Sequence, residues 1–152
     1  MAVTPVDPQA PKFGNDTVLG LVRQVDEFVA PGGQRGADAE YYGRLGELLR
    51  RLHASMRAEN AAKAINHPSA GSEAIRPEFA ADLARLGNEH VSMLGMLDRL
   101  IRASETMADR SLEDREVFFL RVRELLAILR RHEAEEERVM FLSMWADTGG
   151  ES

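Results

Sequence analysis

A chain of 152 residues has the size of one domain and can bury a single sizeable core. Lys and Arg total 19 and Asp and Glu total 25, a net charge of −6, which argues against a nucleic-acid binder because phosphate contacts need a positive face. With no Cys there are no disulfides, zinc–thiolate sites, iron–sulfur clusters or cysteine nucleophiles, so any metal must be held by His and carboxylates.

Pro5, Pro8, Pro11 and Gly14 mark an irregular leader over residues 1–15. Met1 to Gln9 lacks the basic start and apolar stretch of a secretory signal. Apolar runs such as Val117-Phe118-Phe119-Leu120 are too short to cross a bilayer. The expectation is a cytoplasmic protein with no membrane or nucleic-acid partner. Asn15 or Asp16 can cap a first helix from about Thr17 to Ala30, ended by Pro31-Gly32-Gly33. Asp38 can cap a second helix reaching about Ile65. A link from Asn66 to Arg76 contains Pro, Gly and Ser, and Pro77 suits the first turn of a third helix running to about Ser104. Ser111-Leu112-Glu113-Asp114 resembles a capping box with Asp114 in place of Glu or Gln, opening a fourth helix to about Trp145. Residues 148–152 form a frayed tail. No segment alternates as a half-buried strand does, and 6% aromatics with seven Met suit helices better than sheets.

The apolar spacing sets the inward face of each helix. The stripes are Val18, Val22, Val25 and Val29; Leu45, Leu48, Leu49, Leu52 and Met56; Phe79, Leu83, Leu86, Leu94, Leu97 and Ile101; and Leu125, Ile128, Leu129, Val139 and Met140. Steps of three and four keep each set on one side of a helix. Four such helices predict an all-α protein, an antiparallel up-down four-helix bundle over residues 16–147.

Polar residues interrupt two of these stripes. Stepping from Leu83 and Leu86 leads to His90, then to Leu94 and Leu97. Stepping from Leu125 and Leu129 leads to His132, then Glu136, then Val139. Burying a carboxylate without a partner costs several kcal/mol at least, and a metal ion that bonds both imidazole and carboxylate offsets it. His and Glu four residues apart on one helical face can contact the same ion. The competing account is a buried hydrogen-bonded His–Glu pair. His53 lies about 80° from the centre of the second stripe, as a ligand or as a residue at a helix boundary. Glu59 and Asn60 sit on the two shoulders of that stripe. Within the run Glu133 to Glu137 only Glu136 is centred on the core, with Glu133 and Glu137 on the flank. There is no P-loop, dinucleotide fingerprint or nucleophile elbow.

The segment Leu129 to Phe141, with His132, Glu136 and Glu137, resembles the last-helix pattern of the hemerythrin-like, or HHE cation-binding, family. Glu89-His90 in the third helix is similar to that family's Glu-His step. The second helix carries His53, with Arg57 where the partner Glu would stand, and the first helix has no His. The resemblance spans about residues 17–146. It implies non-haem iron, mononuclear or dinuclear, held by His90, His132, Glu136, His53 and Glu59. It also implies a small diatomic ligand such as O2 or NO, or iron handling. Glu89 is an alternative recruit. A second chain can complete the site, or the site can be lost. Two other classes stay open. One is a metal-free helical interaction module, a homodimer through Phe118, Phe119 and Trp145. The other is a ferritin-like iron oxidase with its site between subunits. Whether the protein is an enzyme is left open.

Overall fold

The computed structural model describes residues 17–30, 36–66 and 77–149. Among these the chain forms four α-helices and no strand: α1 (Val18–Phe28), α2 (Ala39–Asn66), α3 (Pro77–Ser104) and α4 (Leu112–Gly149). A 3-10 turn, Met107–Asp109, joins α3 to α4. The leader and the links 31–35 and 67–76 lie outside the described residues. No described helix is long and apolar enough to cross a membrane.

Helix starts follow local capping chemistry. Asp38 Oδ1 accepts from Tyr41 N at 2.9 Å, and Ser111 Oγ accepts from Asp114 N at 3.1 Å. Pro77 opens α3, where its missing N–H costs nothing. For α1 the cap is Thr17, whose Oγ1 accepts from Gly20 N at 3.0 Å; Asn15 and Asp16 lie outside the described residues. The fourth helix runs past Trp145 to Gly149, because no breaker intervenes before the glycine pair. Thr148 and Gly149, expected in the frayed tail, are therefore helical.

α1 packs on α2 and α4, α2 packs on α3, and α3 packs on α4, so each helix has two neighbours around a common core. Every residue of the α1 stripe is buried, as are Leu45, Leu49, Leu52 and Met56 of α2. Met93 and Leu100 join the α3 stripe, and Val122 and Leu126 join that of α4. α2 and α3 approach closely at Gly46. A Cβ there would meet Ser104 Oγ at 2.7 Å, and that hydroxyl already donates to Ile101 O at 2.6 Å.

One end of the core is aromatic. The Phe28 and Tyr41 rings stack at 4.6 Å, and Tyr42 lies 6.0 Å from Phe118 and 5.9 Å from Phe119. Phe118 and Phe119 are thus core residues, 3% and 1% exposed, and cannot form a dimer surface. Arg115 closes this end. Its guanidinium donates to the carbonyls of Arg110, Ala37 and Ala108, and stands 6.0 Å from the Tyr42 ring. Tyr41 Oη donates to Phe28 O at 3.0 Å. Past Val139, α4 carries exposed Phe141, Leu142, Met144 and Trp145, with Trp145 62% exposed.

Candidate metal centre

The two histidines that interrupt the stripes are both buried. His90 on α3 is 5% exposed and His132 on α4 is 4% exposed, with ring centroids 5.9 Å apart. They meet because α3 and α4 pack together and each helix turns its stripe inward.

His132 lies between two carboxylates. Its Nδ1 is 3.3 Å from Glu89 Oε1, and its Nε2 is 3.6 Å from Glu136 Oε2. An ionised carboxylate only accepts, so the contact with Glu89 requires a proton on Nδ1. Nε2 is buried and has no hydrogen-bond partner among the described residues. In a neutral ring it then presents a lone pair toward the Glu136 oxygen. Two acceptors facing one another inside a core are costly until a cation or a second proton lies between them.

Glu136 is not alone. One oxygen each from Glu59 on α2 and from Glu133 and Glu136 on α4 lie within 4.8 Å of one another, all three half-buried. Ionised carboxylates this close repel by roughly 3 kcal/mol per pair at an effective dielectric near 20, and a divalent cation reverses that sign. The donor set is imidazole and carboxylate without thiolate. It suits iron or manganese and also accepts zinc. The chain's own chemistry therefore fits a metal ion held by Glu59, Glu133 and Glu136, with His132 Nε2 next to Glu136 at 3.6 Å.

The structure brings Glu59 and Glu136 together and leaves His53, His90 and His132 outside that cluster, His53 half-buried and the other two buried. His53 and Glu59 are six residues apart on α2. At about 100° per residue they sit about 120° apart, on opposite shoulders of the stripe. Sequence reasoning left Glu133 on the flank. Its signal was available in the three-residue step to Glu136, which places both on the side of α4 nearer α2. Glu89 lies at Nδ1, on the far side of the His132 ring from Glu136. It is a partner of the histidine and stands apart from the carboxylate cluster.

Glu89 is held in turn. Arg85 donates to Glu89 Oε2 at 2.9 Å and to Glu135 Oε1 at 3.0 Å, and Arg138 donates to the same Glu135 oxygen at 2.9 Å. The hydrogen bond with His132, and after it that from Arg85, hold the Glu89 carboxyl below the usual carboxylate range against the opposing effect of burial. Arg138 first and Arg85 second do the same for Glu135. A groove of about 390 Å³ between α3 and α4, lined by Arg85, Met93 and Arg131 among others, opens onto Glu89 and His132. A larger groove, about 550 Å³, lies toward the aromatic end, with Arg99, Arg110 and Arg121 around Leu100 and Phe118. It holds no histidine, so size does not mark the chemistry here.

No protein-family model, no curated protein and no solved structure matches the chain.

Proposed function

We propose that the protein is a non-haem iron protein of the hemerythrin-like kind, an antiparallel up-down bundle that binds or senses a small diatomic molecule or handles iron in the cytoplasm. The observation that carries the proposal is His132 Nε2: buried, without a hydrogen bond among the described residues, and 3.6 Å from Glu136 in a cluster of three carboxylates. Glu59, Glu133, Glu136 and His132 would hold the ion, with His90 as a further donor. Bound iron with an open position supplies affinity for small ligands. Burial of Nε2 keeps bulk water from that side of the His132 ring, while the groove between α3 and α4 opens on its Glu89 side. The antiparallel reading is supported by cross-helix contacts that run in opposite sequence directions: Arg85 to Glu135 and Glu89 to His132 between α3 and α4, Asp26 to Arg130 and Val29 to Arg123 between α1 and α4.

The test is elemental analysis of protein purified without an affinity tag, followed by ferrous-iron titration under nitrogen and addition of azide or nitric oxide. Iron near stoichiometric, with visible absorption lost in His132→Ala at unchanged helix content, is the expected result. Protein that neither carries nor takes up a transition metal sinks the proposal. A metal-free interaction module is then the better reading. The exposed Phe141, Leu142, Met144 and Trp145 favour it, as a surface for a second copy or another chain.

A further inference from the structure

We propose that Glu89, clamped by Arg85, is a positioning residue that fixes His132 in its Nδ1–H form and so leaves the Nε2 lone pair facing Glu136. The consequence for metal affinity rests on the metal-site reading above; the tautomer itself does not.

The His132 ring is contested by two carboxylates on opposite sides. A neutral imidazole has one N–H, and the hydrogen bond made at one nitrogen decides which nitrogen carries it. If the proton sat on Nε2, the ring would donate to Glu136 and have no lone pair to offer the carboxylate cluster. The geometry favours the other side. Glu89 Oε1 is at 3.3 Å from Nδ1, against 3.6 Å between Nε2 and Glu136 Oε2. Only the Glu89 contact has hydrogen-bond geometry.

Glu89 is 43% exposed and would swing into solvent if nothing held it. Arg85, one turn earlier on α3, takes its other oxygen at 2.9 Å. Arg85 also reaches across to α4, where Glu135 receives it at 3.0 Å. The chain Glu135–Arg85–Glu89–His132 thus starts and ends on α4 and passes through α3. It ties the orientation of the ring to the packing of the two helices. Outer carboxylates of this kind fix ring orientation and raise ligand basicity at metal-binding histidines, and their loss typically costs about 10–100-fold in metal affinity.

The experiment uses the full chain, stripped of metal with a chelator and labelled with 13C and 15N at histidine only. At mildly alkaline pH the ring-nitrogen shifts and two-bond couplings separate the two neutral tautomers from each other and from the doubly protonated ring. The His132 signals are identified by their loss in His132→Gln. The expected result is Nδ1–H in the wild type, a change to Nε2–H in Glu89→Leu, and retention of Nδ1–H in Glu89→Gln, whose amide oxygen still accepts. Circular dichroism checks that Glu89→Leu keeps its helix content. If that variant does not fold, the wild type and Glu89→Gln still decide. Nε2–H or a doubly protonated ring in the wild type overturns the proposal, as does an unchanged tautomer in folded Glu89→Leu. Cobalt(II) titration, read by its absorption, tests the consequence. Affinity should fall about 10–100-fold in Glu89→Leu and much less in Glu89→Gln. A wild type with the expected tautomer that binds no cobalt overturns the metal reading alone and leaves the role of Glu89 standing.

Discussion

The aromatic end and the histidine end of this bundle are built to opposite rules. At the aromatic end, polar groups at the rim serve the backbone. Arg115 caps three carbonyls and Tyr41 caps a fourth, around Phe28, Tyr42, Phe118 and Phe119. At the histidine end, buried polar groups face one another, and an imidazole nitrogen confronts a carboxylate without a hydrogen bond. The first arrangement contributes stability. The second gives some up, and proteins do that at sites where something is to be bound.

The largest test of this contrast is Phe119→Ala. It should cost about 3–5 kcal/mol in denaturant unfolding and leave the metal affinity of the folded protein unchanged. A loss of metal affinity in the folded variant would mean that the two ends are coupled. At the histidine end, metal at a hundredfold over its dissociation constant should add about 2.7 kcal/mol, and chelation should remove it. Glu136→Gln should abolish that increment. In metal-free protein the same change should leave the melting temperature level or raise it, since it removes one of three half-buried carboxylates that crowd together. A metal-free Glu136→Gln that melts lower would show Glu136 to be a structural partner of His132.

Smaller effects sharpen the aromatic end. Tyr41→Phe removes the hydrogen bond to Phe28 O and should cost about 1 kcal/mol. Tyr42→Phe should be neutral or stabilising, because the Tyr42 hydroxyl is buried without a hydrogen-bond partner among the described residues. Equal losses in the two variants would contradict this assignment. Burial raises both tyrosines above their ordinary value, Tyr42 against the opposing effect of Arg115. A raised folded value means that the neutral ring is favoured in the fold. The contribution is therefore intact below the unfolded value near 10 and is lost as pH rises through the folded values. These are the only two tyrosines in the chain, so tyrosinate absorbance reads them cleanly. It should appear above pH ~10 and together with loss of helix signal. Titration at the ordinary value with helices intact would show an open aromatic end.

Much of this contrast could be read from residue spacing. The Asp38 and Ser111 caps, Pro77 at a helix start, and the buried His90 and His132 follow from period and capping chemistry, while Glu136 is half-buried. Periodicity states which side of a helix is buried; it does not say which neighbour that side meets. Glu133 escaped for this reason, since its flank of α4 faces α2, where Glu59 waits. His53 and Glu59 occupy matching shoulders of one stripe, and only the packed helices distinguish them. Phe118 and Phe119 looked like surface because the second stripe was begun at Leu45, a turn too late to include Tyr41 and Tyr42, their partners.

The exposed end of α4 has an optical consequence. Trp145 is the sole tryptophan, it is 62% exposed, and its ring lies 6.4 Å from that of Phe141. The native emission should already be that of a solvated indole, so a fluorescence-monitored melt should be nearly flat while the helices are lost. Conversely, anything apolar that settles over Phe141, Met144 and Trp145 should shift the emission to shorter wavelength with no change in helix content. The tryptophan emission of this chain is blind to its folding and sensitive to its company.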